Sequence, residues 1–100
     1  MFIHSVYFWL RPDLSADDVQ AFESGLNGLC NIETVRRAYT GTPAGTDRPI
    51  IDSSFTKALI LVFDDQSAHD AYQVHPVHDD FREKCATFWS DIKIYDVSTP

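Results

Sequence analysis

Cysteine, glycine and basic side chains are all scarce in this 100-residue chain, and the shortages narrow what it can be. Cys30 and Cys85 are the only cysteines, with no C-x-x-C pair and no histidine at zinc-site spacing beside them. Neither a disulfide framework nor a metal ribbon is expected, and both residues read as buried or partly buried thiols of a reducing cytoplasm. Eight Lys and Arg stand against fifteen Asp and Glu, and the net charge of −7 gives a field that repels phosphate backbones and anionic lipid. Nucleic acid and membrane surfaces are therefore excluded as expected partners. The longest unbroken apolar run, Ala58 to Phe63, falls far short of the roughly 20 residues of a membrane helix, and no cationic leader precedes an apolar stretch.

What remains is 44% hydrophobic and 13% aromatic, enough for one packed core in a single domain over residues 1–100. Phe2 to Leu10 is rich in β-branched and aromatic residues and stops at Arg11-Pro12-Asp13, which predicts a first strand. Ser15 with Asp18 forms a capping-box start, and Val19, Phe22, Leu26 and Leu29 follow at helical spacing, so a helix is expected over about Ala16 to Leu29. A weaker strand over Glu33 to Gly41 is followed by a Pro- and Gly-bearing loop, Thr42 to Pro49. Ser54 to Phe63 is the strongest strand, with Phe55, Leu59, Leu61 and Phe63 expected on one face. Ser67 is expected to cap a second helix, which Pro76 must break at His75 and restart, carrying Phe81, Cys85, Phe88 and Trp89 inward. Asp91 to Val97 is the last strand, and the order β-α-β-β-α-β is that of an α+β, ferredoxin-like antiparallel sheet.

In that architecture helices cover one face of the sheet, and a monomer would make the other face polar. Here Ile3, Tyr7 and Trp9 oppose Phe2, Val6, Phe8 and Leu10, and Ala58, Ile60 and Val62 repeat the pattern on the third strand. A second apolar face of several hundred Å² needs a cover, and a homodimer packing sheet on sheet supplies one.

The chemistry-bearing residues concentrate in Tyr72-Gln73-Val74-His75-Pro76-Val77-His78, together with His4 on the first strand. Phenol and imidazole can act as acid and base near neutral pH, as enolisable or phenolic substrates require. Each also has a structural reading: Tyr72 as a core aromatic, His75 bonding free carbonyls at the helix break, His4 as hydrogen-bonded packing, His78 as a cap. His69, beside Asp70 early in its helix, reads as a surface residue. Histidines scattered at His4, His75 and His78 without a fixed pair spacing are a weak metal signal, and no metal is expected. Asp64-Asp65 and Asp79-Asp80 read as solvated charges at helix starts.

With its N-terminal Phe-Ile-His-Ser-Val-Tyr-Phe strand, Val62-Phe63-Asp64, and Tyr-x-x-His-Pro-x-His ahead of Phe81, the chain resembles the stress-responsive A/B barrel (Dabb) family over nearly its whole length. The resemblance implies a dimeric α+β barrel of ferredoxin-like subunits. Within the family the sequence is similar to the polyketide cyclase branch represented by olivetolic acid cyclase, matched also at Phe88-Trp89 and Ile94-Tyr95-Asp96. That likeness implies His78 as general base with Tyr72 as its partner, no cofactor, and a cavity lined by His4, Val6, Phe8, Leu59, Phe81, Trp89, Ile92 and Ile94, with His75 as a further ligand-binding candidate. Lys57, Asp79, Glu23 and Leu26 depart from the branch and imply a differently shaped, more polar pocket. The first expectation is a homodimeric barrel with no settled catalytic role, which binds a small apolar or aromatic molecule or contributes to stress tolerance as a stable assembly. The alternatives are a cofactor-free aldol cyclase, lyase or isomerase, and a cofactor-free monooxygenase of the related barrels.

Overall fold

The computed structural model describes residues 1–100. Its elements run β1 (Phe2–Leu10), α1 (Ala16–Cys30), β2 (Arg37–Gly41), β3 (Lys57–Phe63), α2 (Gln66–Gln73), α3 (Pro76–Cys85), a 3-10 turn (Ala86–Phe88) and β4 (Trp89–Ser98). The sheet order is β2-β3-β1-β4 and every pairing is antiparallel, which makes the chain a ferredoxin-like α+β fold. No helix is long and apolar enough to cross a membrane.

Strand β1 sits at the centre and its residues alternate strictly in burial, Phe2, His4, Val6 and Phe8 facing the helices. In register beside them lie Leu61, Leu59 and Lys57 of β3 and Asp96, Ile94 and Ile92 of β4. Ser15 caps α1 in the expected capping box with Asp18, and Phe22, Leu26 and Leu29 carry the buried stripe, whereas Val19 stays exposed. Gly28 does not end this helix, which runs on to Cys30. Gly25 is the point of closest approach between α1 and α3: a Cβ there would stand 2.6 Å from the Phe81 ring and 3.4 Å from the Cys85 sulfur. Gly25→Ala is therefore expected to lower the melting temperature, since overpacking a buried ring by roughly 1–3 kcal/mol outweighs a helix-propensity gain of about 1 kcal/mol. Thermal unfolding followed by circular dichroism checks it; an unchanged or raised midpoint would show that Phe81 can give way.

Several boundaries differ from expectation for local reasons. Asp65, not Ser67, caps α2, because Asp65 is the last extended residue and its carboxylate accepts from the Ala68 N–H at 2.9 Å. The chain breaks before Pro76 as predicted, His75 holding an extended backbone and Pro76 opening α3. Phe81 and Cys85 turn inward from α3, but Trp89 opens β4 instead of ending a helix. The second strand starts only at Arg37, because Val35 is still held in a turn by its N–H to the Ile32 carbonyl. The third starts at Lys57: Thr56 bends there, its N–H donating to the Phe8 carbonyl and its hydroxyl accepting from the Leu10 N–H. That bend reverses the alternation, so Phe55 packs its ring on Tyr7, 5.1 Å between centroids, on the face opposite Leu59.

This outer face carries Ile3, Tyr7, Trp9, Ile60 and Val62 with no helix over them, and Tyr95 and Val97 on β4 are 59% and 49% exposed. The two-sided apolar sheet expected from the sequence is thus present.

Candidate functional site

The helix-covered face does not close completely. Between β1, β4, α2 and α3 lies a cavity of about 390 Å³, lined by 14 residues of which 10 are hydrophobic. Its floor is the inward row of β1, its wall Leu59, Ile92 and Ile94, and its lid Tyr72, His78, Phe81 and Trp89. His4, Val6, Phe8, Leu59, Tyr72, His78, Phe81, Trp89, Ile92 and Ile94 all line it. His75 does not; it caps α3, its Nδ1 accepting from the Val77 N–H at 3.1 Å while Nε2 faces Glu33 at 3.3 Å. Its partners are therefore an N–H and a carboxylate, not the carbonyls expected at the helix break.

The four departures from the cyclase branch lie outside the lining. Lys57 and Glu23 pair with each other at 2.7 Å, Leu26 is fully buried in the core, and Asp79 is exposed. They do not make the cavity polar. Its polarity comes from His4, Gln73, His78 and Arg82, and the last two are a helical i, i+4 pair that the sequence offered without being read.

Burial sets the protonation of the lining groups. Tyr72 is 1% exposed, and loss of water holds its hydroxyl well above the usual phenol range, so it stays protonated. His78 stands edge-on to the Tyr72 ring at 5.0 Å, and its Nδ1 is buried with no hydrogen-bond partner. Desolvation first, and the Arg82 charge second, push the His78 imidazole below its ordinary value, which leaves it unprotonated at neutral pH. His4 is also pushed down by burial, which outweighs the raising effect of Asp96. Neutral His4 donates Nδ1–H to the Asp96 carboxylate at 2.6 Å, and Nε2 keeps its lone pair.

One buried polar group was placed wrongly by the sequence reading. His69 is not a surface residue but 8% exposed, stacked on Phe2 at 4.3 Å and 5.0 Å from the His4 ring. The signal was the i, i+3 spacing from His69 to Tyr72, which turns both side chains of α2 toward the sheet.

The comparisons with known proteins agree on the architecture. No curated protein matches the sequence. Among solved structures, a Dabb family protein with a ferredoxin-like fold from Mesorhizobium loti superposes with a TM-score of 0.78 at 21% identity, covering 99% of this chain and 96% of its own. Passiflora edulis hydroxynitrile lyase gives 0.79 at 18% identity with coverage of 99% and 96%, and a dimeric ferredoxin-like protein of unknown function from Thermobifida fusca gives 0.77 at 19% with 98% and 90%. At these identities the likeness establishes the fold alone. The sequence itself matches the model of the stress responsive A/B barrel domain over residues 2–99, and the chain belongs to that family.

Proposed function

We propose that this chain forms a homodimeric barrel that takes up a small, largely apolar or aromatic carbonyl compound and moves a proton on it with no cofactor. The observation that carries the reading is the half-buried imidazole of His78, which lines a mostly apolar cavity beside the Tyr72 ring. Its buried Nδ1 has no partner in the protein, which is destabilising by about 1–3 kcal/mol and is not what a purely structural histidine would show. The volume suits a compound at the small end of the usual ligand range, and apolar walls would hold its carbon skeleton.

In this reading neutral His78 takes a proton from the carbon next to the carbonyl, and the C–H electron pair moves onto the carbonyl oxygen. Tyr72, kept protonated by burial, donates its hydroxyl hydrogen bond to that oxygen as the charge develops. Asp96 fixes the His4 tautomer so that Nε2 is left as an acceptor for a substrate hydroxyl. The solved hydroxynitrile lyase of the same fold is an enzyme, which is consistent with catalysis on this scaffold. The dimer is supported by the bare outer face and by dimeric neighbours of the same fold.

Trp89 reports on the cavity directly, because its ring stacks on Phe81 at 5.8 Å and lines the wall. In a Trp9→Phe background, where it is the only indole, aromatic aldehydes and ketones are expected to quench its emission saturably at micromolar to low millimolar concentration. No saturable response across a panel of such compounds would sink the ligand-binding reading.

A further inference from the structure

Two buried histidines from different elements meet beside Phe2, and the proton-transfer reading uses only one of them. His4 comes from β1 and His69 from α2, their ring centroids 5.0 Å apart, and Asp96 of β4 reaches His4 at 2.6 Å. One donor atom from each of the three lies within 4.8 Å of the others. Taking two imidazoles out of water side by side is unfavourable, and position 69, packed between Phe2 and Phe63, would suit an aliphatic side chain if packing were its only task.

We propose that His4, His69 and Asp96 form a binding site for a divalent first-row transition ion of the Zn2+ or Co2+ kind. Two imidazoles and one carboxylate are a donor set that such ions accept, and three protein ligands leave coordination positions open, here toward the cavity that His4 lines. His69 is in the tautomer that ligation needs. The Gln73 side-chain nitrogen lies 3.1 Å from Nε2 of His69 and must donate to it, so Nδ1 carries the hydrogen and gives it to Asp70 at 3.0 Å. His69 therefore offers an Nε2 lone pair, with an outer carboxylate on its other nitrogen, the arrangement that orients metal-bound imidazoles. Gln73 would yield that lone pair by turning into the cavity it already borders.

His4 and Asp96 share one proton across their 2.6 Å contact. An ion entering between them takes that proton's place, and the hydrogen passes to Nε2 of the same ring, so that His4 ligates as a neutral imidazole. Asp96, with a side chain 40% exposed, has room to pivot outward as the contact widens. Ligands around a tetrahedral ion stand roughly 3.4 Å apart, so the widest separation in the cluster must close by roughly 1 Å. The side chains of His69, on a helix of eight residues that ends at Gln73, and of the half-exposed Asp96 supply that movement. This site is independent of the role given to His78 and of the dimer.

The test uses the full chain free of any histidine tag, titrated with Zn2+ and with Co2+ at about pH 7.5 by calorimetry and visible absorption. One ion per chain is expected, with a cobalt d–d spectrum of low coordination number and a melting temperature that rises with free metal. His69→Ile, which fills the space between the phenylalanines, and His69→Gln, which keeps a polar group, should each weaken binding by about tenfold or more, as should Asp96→Asn. His75→Ala should leave affinity unchanged. No binding below about 1 mM, or binding that both His69 variants leave within tenfold, would overturn the site. Loss of the ion in His75→Ala with retention in His69→Ile would place it at Glu33 and His75 and overturn it equally.

Discussion

His78→Ala removes turnover of the cognate carbonyl compound by about 100- to 10,000-fold while the melting temperature stays within a few degrees. The two halves of this expected result come from the same observation. His78 makes no hydrogen bond through its buried Nδ1, so its removal breaks no bond inside the protein and relieves an unpartnered polar atom. The lost packing against Tyr72 is then largely offset. Tyr72, held protonated, and Arg82, a permanent cation, cannot replace it as base, and His4 is tied by its other nitrogen to Asp96 on β4. The pH profile gives a second readout. With the His78 imidazole pushed below its ordinary 6.5, the acid limb of the rate lies below pH 6.5, and activity is at plateau at neutrality. Stability follows the same sign: as pH falls below 6.5 the unfolded chain takes the proton first, so the folded state loses stability until its own lowered value is passed. His78→Ala should flatten that decline. A large fall in melting temperature with no activity lost on a substrate that binds would instead mark the motif as structural. Steady-state rates against pH, beside calorimetric unfolding of both proteins, decide between these outcomes.

How far the site was legible depended on how each residue is held. Strand alternation fixes which side chains of β1 and β4 share a face, while the lining set itself came from the family resemblance and the register of His4, Val6 and Phe8 against Asp96, Ile94 and Ile92 only from the structure. Parity failed at Phe55, where one bend at Thr56 inverted the face, and no pattern in the sequence marks a bend made by a hydroxyl and a carbonyl of β1. His69 was misread for a different reason. A titratable residue next to an aspartate looks solvated, yet the eight-residue α2 has only one inward face, and the i, i+3 pair with Tyr72 occupies it. His75 and His78 show the limit of motif reading. They sit three residues apart in one pattern, but Pro76 makes His75 the cap outside α3 and His78 a residue inside its first turn, so their side chains serve different ends. The charged departures at Glu23 and Lys57 cancelled in a cross-element ion pair, which no local spacing reveals.

The other large effect concerns the outer face. The protein should sediment at twice 11.4 kDa at micromolar concentration, and Ile60→Glu should return it to the single-chain mass. Ile60 lies mid-strand on β3 in register with Ser5 and Tyr39, on the face where the Tyr7 ring meets those of Phe55 and Tyr95. Sheet-on-sheet packing about a two-fold axis uses the same surface on both subunits, so one substitution places a carboxylate in the interface twice. Burying each unpaired charge is unfavourable by several kcal/mol, and a dissociation constant raised by far more than about a hundredfold follows. The fold of each subunit should survive, because the core residues Phe8, Phe22, Leu26, Leu61 and Phe63 lie on the opposite side of the sheet. The added charge also lies on an already anionic chain, which keeps the released subunit from aggregating through its bare face. Sedimentation equilibrium with circular dichroism separates the possibilities. A wild-type mass of 11.4 kDa would mean that the aromatic outer face is covered by something other than a second copy. A dimeric Ile60→Glu protein would mean that two copies meet through another surface, such as the exposed edge of β2 or β4.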